Sequence, residues 1–110
     1  MDTKFILRKA ESVINGNSPQ TQSMAQLIFD AIPQVDDNLN DNQIADLFNM
    51  WYALQVFCLE NPGQIQLTQA LDRLMEKALT LKRRTLFSAY SKIVGRYGLA
   101  SNQSLYYKLR

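Results

Sequence analysis

Histidine is absent from this 110-residue sequence, and cysteine occurs once, as Cys58. Without histidine the chain lacks the commonest general base, the usual zinc ligand and one member of every Ser-His or Cys-His catalytic pair. A lone cysteine forms no disulfide within the chain, so nothing indicates an oxidising compartment. Glycine and proline are scarce, at four and three residues, which argues against the many turns of a β-sandwich and favours an all-α protein.

Long apolar runs are missing as well. No segment approaches the roughly 20 apolar residues of a membrane-spanning helix, and the apolar patch at residues 5–7 is too short for the core of a secretory signal. We therefore expect a soluble cytoplasmic protein that does not enter a membrane. Because no glycine-rich phosphate loop is present either, we expect no enzyme, no cofactor and no small-molecule substrate.

Charge of one sign is missing from two long stretches. Residues 10–72 contain eight acidic side chains and no basic one, whereas residues 77–110 contain eight basic side chains and no acidic one. Although the formal net charge is only +2, the acidic and basic residues are therefore segregated into different parts of the sequence. Such asymmetry within a small protein is typical of one that binds a charged partner.

Apolar side chains recur at helical spacing throughout the chain. We predict helices over residues 3–15, from Ser18-Pro19 to Pro33, and over residues 41–60, where Asn40 and Gln43 form a capping-box-like pair. The third segment is apolar nearly all round, which predicts a helix covered on most sides. From Gln66 no helix breaker appears until Gly95, so that stretch holds either one long helix or two short ones.

These segments predict one domain, residues 1–110, with a compact bundle of four to six helices around a central hydrophobic helix at about 41–60 and a long or bent C-terminal helix. The connection before that central helix resembles the first half of an EF-hand calcium loop, with oxygen-bearing side chains at Asp36, Asn38 and Asn40. Asp41 stands where that loop needs glycine and Leu47 where it needs glutamate. We therefore expect a solvated connection and no metal site. Cys58, among apolar neighbours, is expected to be a core residue whose thiol has a raised pKa.

The acid-free block indicates binding to DNA or RNA, because phosphates attract a basic surface that no carboxylate interrupts. Residues 93–110 resemble a helix-turn-helix, with Gly98 in the turn, although Val94 stands where that motif usually has a small residue. The resemblance implies that polar side chains at the start of its second helix reach base edges. The predicted nucleic-acid-binding residues are Lys82, Arg83, Arg84, Lys92, Arg96, Ser101, Asn102, Gln103 and Lys108.

The alternative is a protein-binding or assembly subunit, with another protein or a second copy of the chain, such as a homodimer, as partner. The apolar segment 44–59 has more apolar surface than short neighbouring helices readily cover. We expect part of it to lie outside the bundle and bind the partner, through Met50, Trp51, Tyr52 and Phe57. The basic block of one copy would then also meet the acidic helices of another.

Overall fold

The computed structural model describes residues 1–16 and 21–82. These residues form four α-helices and a short 3-10 helix, and this part of the chain contains no β-strand. The α-helices are α1 (Thr3–Asn15), α2 (Thr21–Ala31), α3 (Asp41–Glu60) and α4 (Ile65–Ala78), and the 3-10 helix, Ile32–Gln34, follows α2. The prediction of an all-α bundle is confirmed for the described residues.

The ends of α1 are set by local signals. The Asp2 side chain caps the helix by accepting a hydrogen bond from the backbone N–H of Phe5 at 3.0 Å. Gly16 ends it in an ordinary right-handed conformation, so the helix stop does not use the positive φ that Asn15-Gly16 allows. Glycine is needed there for space, because a Cβ atom would collide with the carbonyl oxygen of Ser12.

The second α-helix ends at Ala31, two residues before the predicted end at Pro33. Residues Ile32–Gln34, which include Pro33, tighten into the 3-10 helix, and the N–H of Val35 donates to the Ile32 carbonyl at 3.0 Å. The loop that follows is anchored by two apolar side chains, Val35 and Leu39, which are buried in the core. The predicted N-cap of α2, Ser18 with Pro19, lies outside the described residues.

The predicted bounds of α3 are confirmed. Asn40 and Gln43 form a full capping box: the Asn40 side chain accepts from the Gln43 N–H, and the Gln43 side chain accepts from the Asn40 N–H, both at 2.9 Å. At the other end the Asn61 N–H donates to the Phe57 carbonyl. Gly63 then turns the chain with a φ of 103°, a conformation that favours glycine.

The last described helix, α4, is shorter than the stretch without helix-breaking residues, from Gln66 to Gly95, would allow. α4 ends at Ala78, so residues 66–97 are not one uninterrupted helix. The N–H of Thr80 and the N–H of Leu81 donate to carbonyls only three residues back, and the Thr80 hydroxyl donates to the Lys77 carbonyl. Leu81, which follows this turn, is buried in the core.

The helices pack as two main pairs, α1 on α3 and α2 on α4, with smaller α1–α2 and α3–α4 contacts. One cluster of buried apolar residues joins all four, and α3 supplies more buried residues than any other described helix. The Trp51 indole N–H donates to the Leu71 carbonyl at 3.2 Å and so links α3 to α4. We call residues 82–110, the part of the acid-free stretch that holds the predicted nucleic-acid-binding residues, the basic block. The helices place its first residue, Lys82, against the loop before α3.

Candidate functional site

The acidic loop before α3 lies next to the start of the basic block. The Asp37 carboxylate accepts a hydrogen bond from the backbone N–H of Lys82 at 2.8 Å, between residues 45 positions apart. Asp36 in the same loop accepts from the Asn38 N–H at 2.9 Å, and both aspartates are exposed. The contact to Lys82 uses the backbone, which leaves the Lys82 ammonium available to a ligand. The exposed side chain of Lys82 thus lies at the surface where the basic block begins.

Lys82 is the one predicted nucleic-acid-binding residue that the structure describes. Those that lie outside the described residues are Arg83, Arg84, Lys92, Arg96, Ser101, Asn102, Gln103 and Lys108. Their contribution to a nucleic-acid surface, and the helix-turn-helix resemblance that includes several of them, stay predictions from sequence.

The charge of the chain divides close to Lys82. Residues 1–82 carry six basic and ten acidic side chains, a net charge of −4, whereas residues 83–110 carry six basic side chains and no acid. Within the described part, half of the basic residues lie close together on α1, as Lys4, Arg8 and Lys9. The helical framework is therefore a net-acidic body that carries one small basic patch of its own.

Two of the predicted partner-binding residues lie in the core, which corrects the expectation that they reach outside the bundle. Met50 is 1% exposed and Trp51 is 2% exposed. Trp51 packs against Phe48, with ring centroids 5.6 Å apart, and its indole N–H is used by the Leu71 carbonyl. Neither side chain is available to a partner, because both are buried in the core cluster.

The other two, Tyr52 and Phe57, are half-buried. Near the end of α3 the side chains of Val56 and Cys58 are also half-buried, and Leu59 is 38% exposed. We call Tyr52, Val56 and Leu59, which lie three or four positions apart and so share one face of α3, the α3 terminal patch. Phe57 lies about 100° or more around the helix from each of them. Periodicity could not locate the patch, because α3 is apolar on most faces and the spacing alone does not say which end its neighbours cover.

Cys58 lies beside this patch and is half-buried, which is less than the full burial expected from its sequence neighbours. Burial raises the pKa of the Cys58 thiol, as predicted; the carboxylate of Asp72 raises it further, while a hydrogen bond with Thr68 acts in the opposite direction. At neutral pH the residue is therefore a thiol, a weak nucleophile and a poor metal ligand.

Asp46 joins α1 to α3 through a polar contact that the sequence pattern does not indicate. Its carboxylate accepts from the Thr3 hydroxyl at 3.0 Å and from the Lys4 ammonium at 3.2 Å. Asp46 is 7% exposed and Thr3 is buried, whereas Lys4 is exposed. The arrangement satisfies a buried carboxylate and fixes the first turn of α1, which is a structural role.

A groove between α1 and α2 is a second feature that sequence reasoning missed. It has a volume of about 200 Å³ and is lined by Phe5, Lys9, Val13, Ser23, Met24 and Leu27. The Lys9 ammonium lies 5.6 Å from the centroid of the Phe5 ring. The sequence feature that could have indicated this groove is the pair Phe5 and Lys9, because residues four positions apart on a helix are neighbours on one face.

Among residues 1–16 and 21–82, no three histidine, cysteine or acidic side chains are grouped so as to hold a metal ion. Of the EF-hand-like positions, Asp36 and Asn40 direct their side chains to backbone N–H groups. No helix in this part of the chain is both long and apolar enough to cross a membrane. Comparison of the chain with protein-family models, with curated proteins and with solved structures finds no match.

Proposed function

We propose that the protein is a non-enzymatic regulator that binds nucleic acid through residues 82–110. The observation that carries this proposal is the division of charge at Lys82: every acidic side chain lies in residues 1–82, and the 28 residues after Lys82 carry six basic ones. A polyanion such as a nucleic acid binds most strongly where the basic side chains have no carboxylates beside them. The acidic body repels the same polyanion, so it restricts binding to the basic block.

In this proposal the residues have two kinds of role. The cations attract and position the phosphate backbone, while hydroxyl and amide side chains read base edges. The phosphate-binding residues are Lys82, Arg83, Arg84, Lys92, Arg96 and Lys108, and the base-reading residues are Ser101, Asn102 and Gln103. The total of four to six helices, the C-terminal helix and a cytoplasmic location belong to the proposal too, since the first two depend on residues beyond Lys82.

The test is fluorescence anisotropy with labelled single-stranded DNA, duplex DNA and RNA of about 20 nucleotides, titrated with the full chain at several salt concentrations. We expect the logarithm of the binding constant to fall linearly with the logarithm of salt, with a slope of about −0.7 to −0.9 per phosphate neutralised. Reversing Arg83 and Arg84 to Glu should abolish binding while the helical circular dichroism signal is kept.

The matched control reverses another adjacent pair of cations, Arg8→Glu with Lys9→Glu. Both residues are exposed on α1, so the net charge changes equally while the basic block is untouched. This variant should keep most of the affinity. If the wild-type chain binds none of the three nucleic acids at low salt, or if both double variants lose affinity equally, the proposed site is wrong.

A second candidate function, binding of a protein partner or a second copy, is favoured by the α3 terminal patch. Tyr52 and Val56 are half-buried there, Phe57 is half-buried on another face of α3, and Leu59 is exposed, so a partner would cover apolar surface that the described helices leave open. Sedimentation velocity of Leu59→Ser should show a lower mass than wild type at high protein concentration. Ile14→Ser removes a similarly exposed side chain, 37% against 38%, and should change nothing. A monomeric wild type would refute self-association through the patch.

A further inference from the structure

The groove between α1 and α2 has an apolar floor and open walls. Val13 and Met24 are buried and form the floor, while Leu27 is half-buried. Phe5 is 45% exposed, an unusual position for a large aromatic ring, and Lys9 and Ser23 are exposed as well. An apolar trough is thus open to solvent along one side of the α1–α2 pair.

The size and openness of the groove favour an anchor side chain from a larger partner over a small molecule. Small-molecule sites enclose about 300–1,000 Å³ and cover most of their ligand, whereas this groove holds about 200 Å³ and leaves its aromatic wall exposed. One leucine, phenylalanine or tryptophan side chain fills such a volume. Two packed helices with a trough between them are a common docking surface for a third, amphipathic helix.

The charge at the rim determines what that helix must carry. Lys9 is the only charged residue among the six that line the groove, and its side chain is exposed. A partner that buries an apolar anchor therefore gains from a carboxylate beside it. The chain's own residues 83–110 contain no acid, so they do not complement this rim, and a nucleic acid would leave the apolar floor unused.

We propose that the α1–α2 groove binds an amphipathic helical segment of another protein, which inserts one bulky apolar side chain and places an Asp or Glu against Lys9. None of the six lining residues belongs to the basic block or to the α3 terminal patch. The groove would serve a regulator that holds a nucleic acid at one site and an acidic partner at another, yet it does not depend on Arg83 and Arg84.

The experiment uses the full chain, isotopically labelled, and a 15-residue amphipathic helical peptide with leucine and phenylalanine on one face and glutamate beside them. A matched peptide carries lysine in place of each glutamate. We expect the glutamate peptide to shift the amide and methyl NMR signals of Val13, Ser23, Met24 and Leu27. Phe5→Ser should weaken the peptide about tenfold or more, as removal of an interface anchor does, and Lys9→Glu about three- to fivefold, as for a rim ion pair.

A charge swap keeps the test independent of folding defects, because the lysine peptide should bind Lys9→Glu better than it binds wild type. Ile65→Ser, which alters a side chain that is 67% exposed and is not part of the groove lining, should bind like wild type. So should the Arg83→Glu and Arg84→Glu double variant, even if it no longer binds nucleic acid. Equal binding of both peptides, shifts confined to α3, or no shift at millimolar peptide would overturn the proposal. So would RNA shifting these same signals in a Lys9-dependent manner.

Discussion

Asp46 is a carboxylate in the middle of an apolar helix, and its two partners explain why it is tolerated there. Thr3 and Lys4 both donate to it across the α1–α3 contact. The two hydrogen bonds contribute differently to the stability of the fold, because the threonine hydroxyl is buried and the lysine ammonium is largely in water. A buried donor that loses its acceptor suffers the desolvation cost in full, while an exposed cation is re-solvated.

Replacing Asp46 by alanine should therefore destabilise the protein by about 1–3 kcal/mol, since the buried Thr3 hydroxyl is left without its acceptor. Lys4→Ala should cost about 0–1 kcal/mol, the range of an exposed ion pair. Asp46→Asn, which keeps an oxygen for Thr3, should lie between the two. Urea unfolding monitored by circular dichroism measures all three. A cost for Lys4→Ala as large as that for Asp46→Ala would show that the ion pair, not the hydroxyl contact, holds α1.

Cys58 provides the pH-dependent prediction at this scale. Its pKa is raised in the folded chain, so the folded state retains a proton that the unfolded state has lost. The associated stabilisation is complete below the unfolded pKa and is lost as the pH rises through the folded pKa. The midpoint of the rate of modification by a thiol reagent against pH should lie above that of the urea-unfolded chain.

Two substitutions should move that midpoint in opposite directions. Asp72→Asn removes a carboxylate that raises the pKa of Cys58 and should lower the midpoint, whereas Thr68→Val removes a hydrogen bond that lowers the pKa and should raise it. Cys58→Ala, which lacks the thiol, gives the background rate of the reagent. If both substitutions moved the midpoint the same way, changed exposure of the thiol rather than electrostatics would be responsible.

At the scale of the element, α3 has a start determined by its own sequence and an end whose surroundings depend on the other helices. Its N-terminus has a reciprocal capping box between Asn40 and Gln43. Toward its C-terminus the apolar side chains emerge from the bundle as the α3 terminal patch. The first feature stabilises the helix whatever packs on it, whereas the second depends on which of its side chains the neighbouring helices cover.

Asn40→Ala should destabilise the protein by about 0.5–2 kcal/mol, the usual cost of losing an N-cap side chain. Gln43→Ala should cost less, and the double variant should cost less than the sum, because the two side chains cap one helix end together. Asn42→Ala, at an exposed position in the same first turn, is the matched control and should change little. Additive losses in denaturant unfolding would mean that the two caps act independently.

At the scale of the whole molecule, the main feature is a body of net charge −4 followed by a segment of charge +6. Asp37 of the body accepts a hydrogen bond from the backbone N–H of Lys82, the last residue before that segment. Between chains the same complementarity favours head-to-tail contact, which is electrostatic and distinct from the apolar contact at the α3 terminal patch.

We expect self-association by charge to depend on ionic strength, since the Debye length falls from about 30 Å at 0.01 M to about 3 Å at 1 M salt. Sedimentation at high protein concentration should give a larger mass at the low salt concentration, and the Arg83→Glu, Arg84→Glu variant should remove that difference. Contact through the apolar patch would instead persist at high salt. A mass that is the same at both salt concentrations and in both proteins would rule out charge-driven assembly.

The sequence by itself determined the features that depend on neighbours along the chain. Asp2 and Asn40 are N-caps, Pro33 and the residues around Gly63 end helices, and the 3.6-residue pattern identifies α1, α2 and α3 as helices, because caps, breakers and periodicity act within a few residues. The charge division at Lys82 can also be read directly from the sequence.

Only the tertiary structure decided which apolar and polar residues are covered. It buries Met50 and Trp51, leaves Phe5 and Leu59 exposed, and ends α4 at Ala78, where the sequence has no glycine or proline. It also brings Asp37 to Lys82, and Asp46 to Thr3, across more than 40 positions of sequence. Burial depends on which helix lies against which, and that is set by the packing of all four helices together rather than by any one segment.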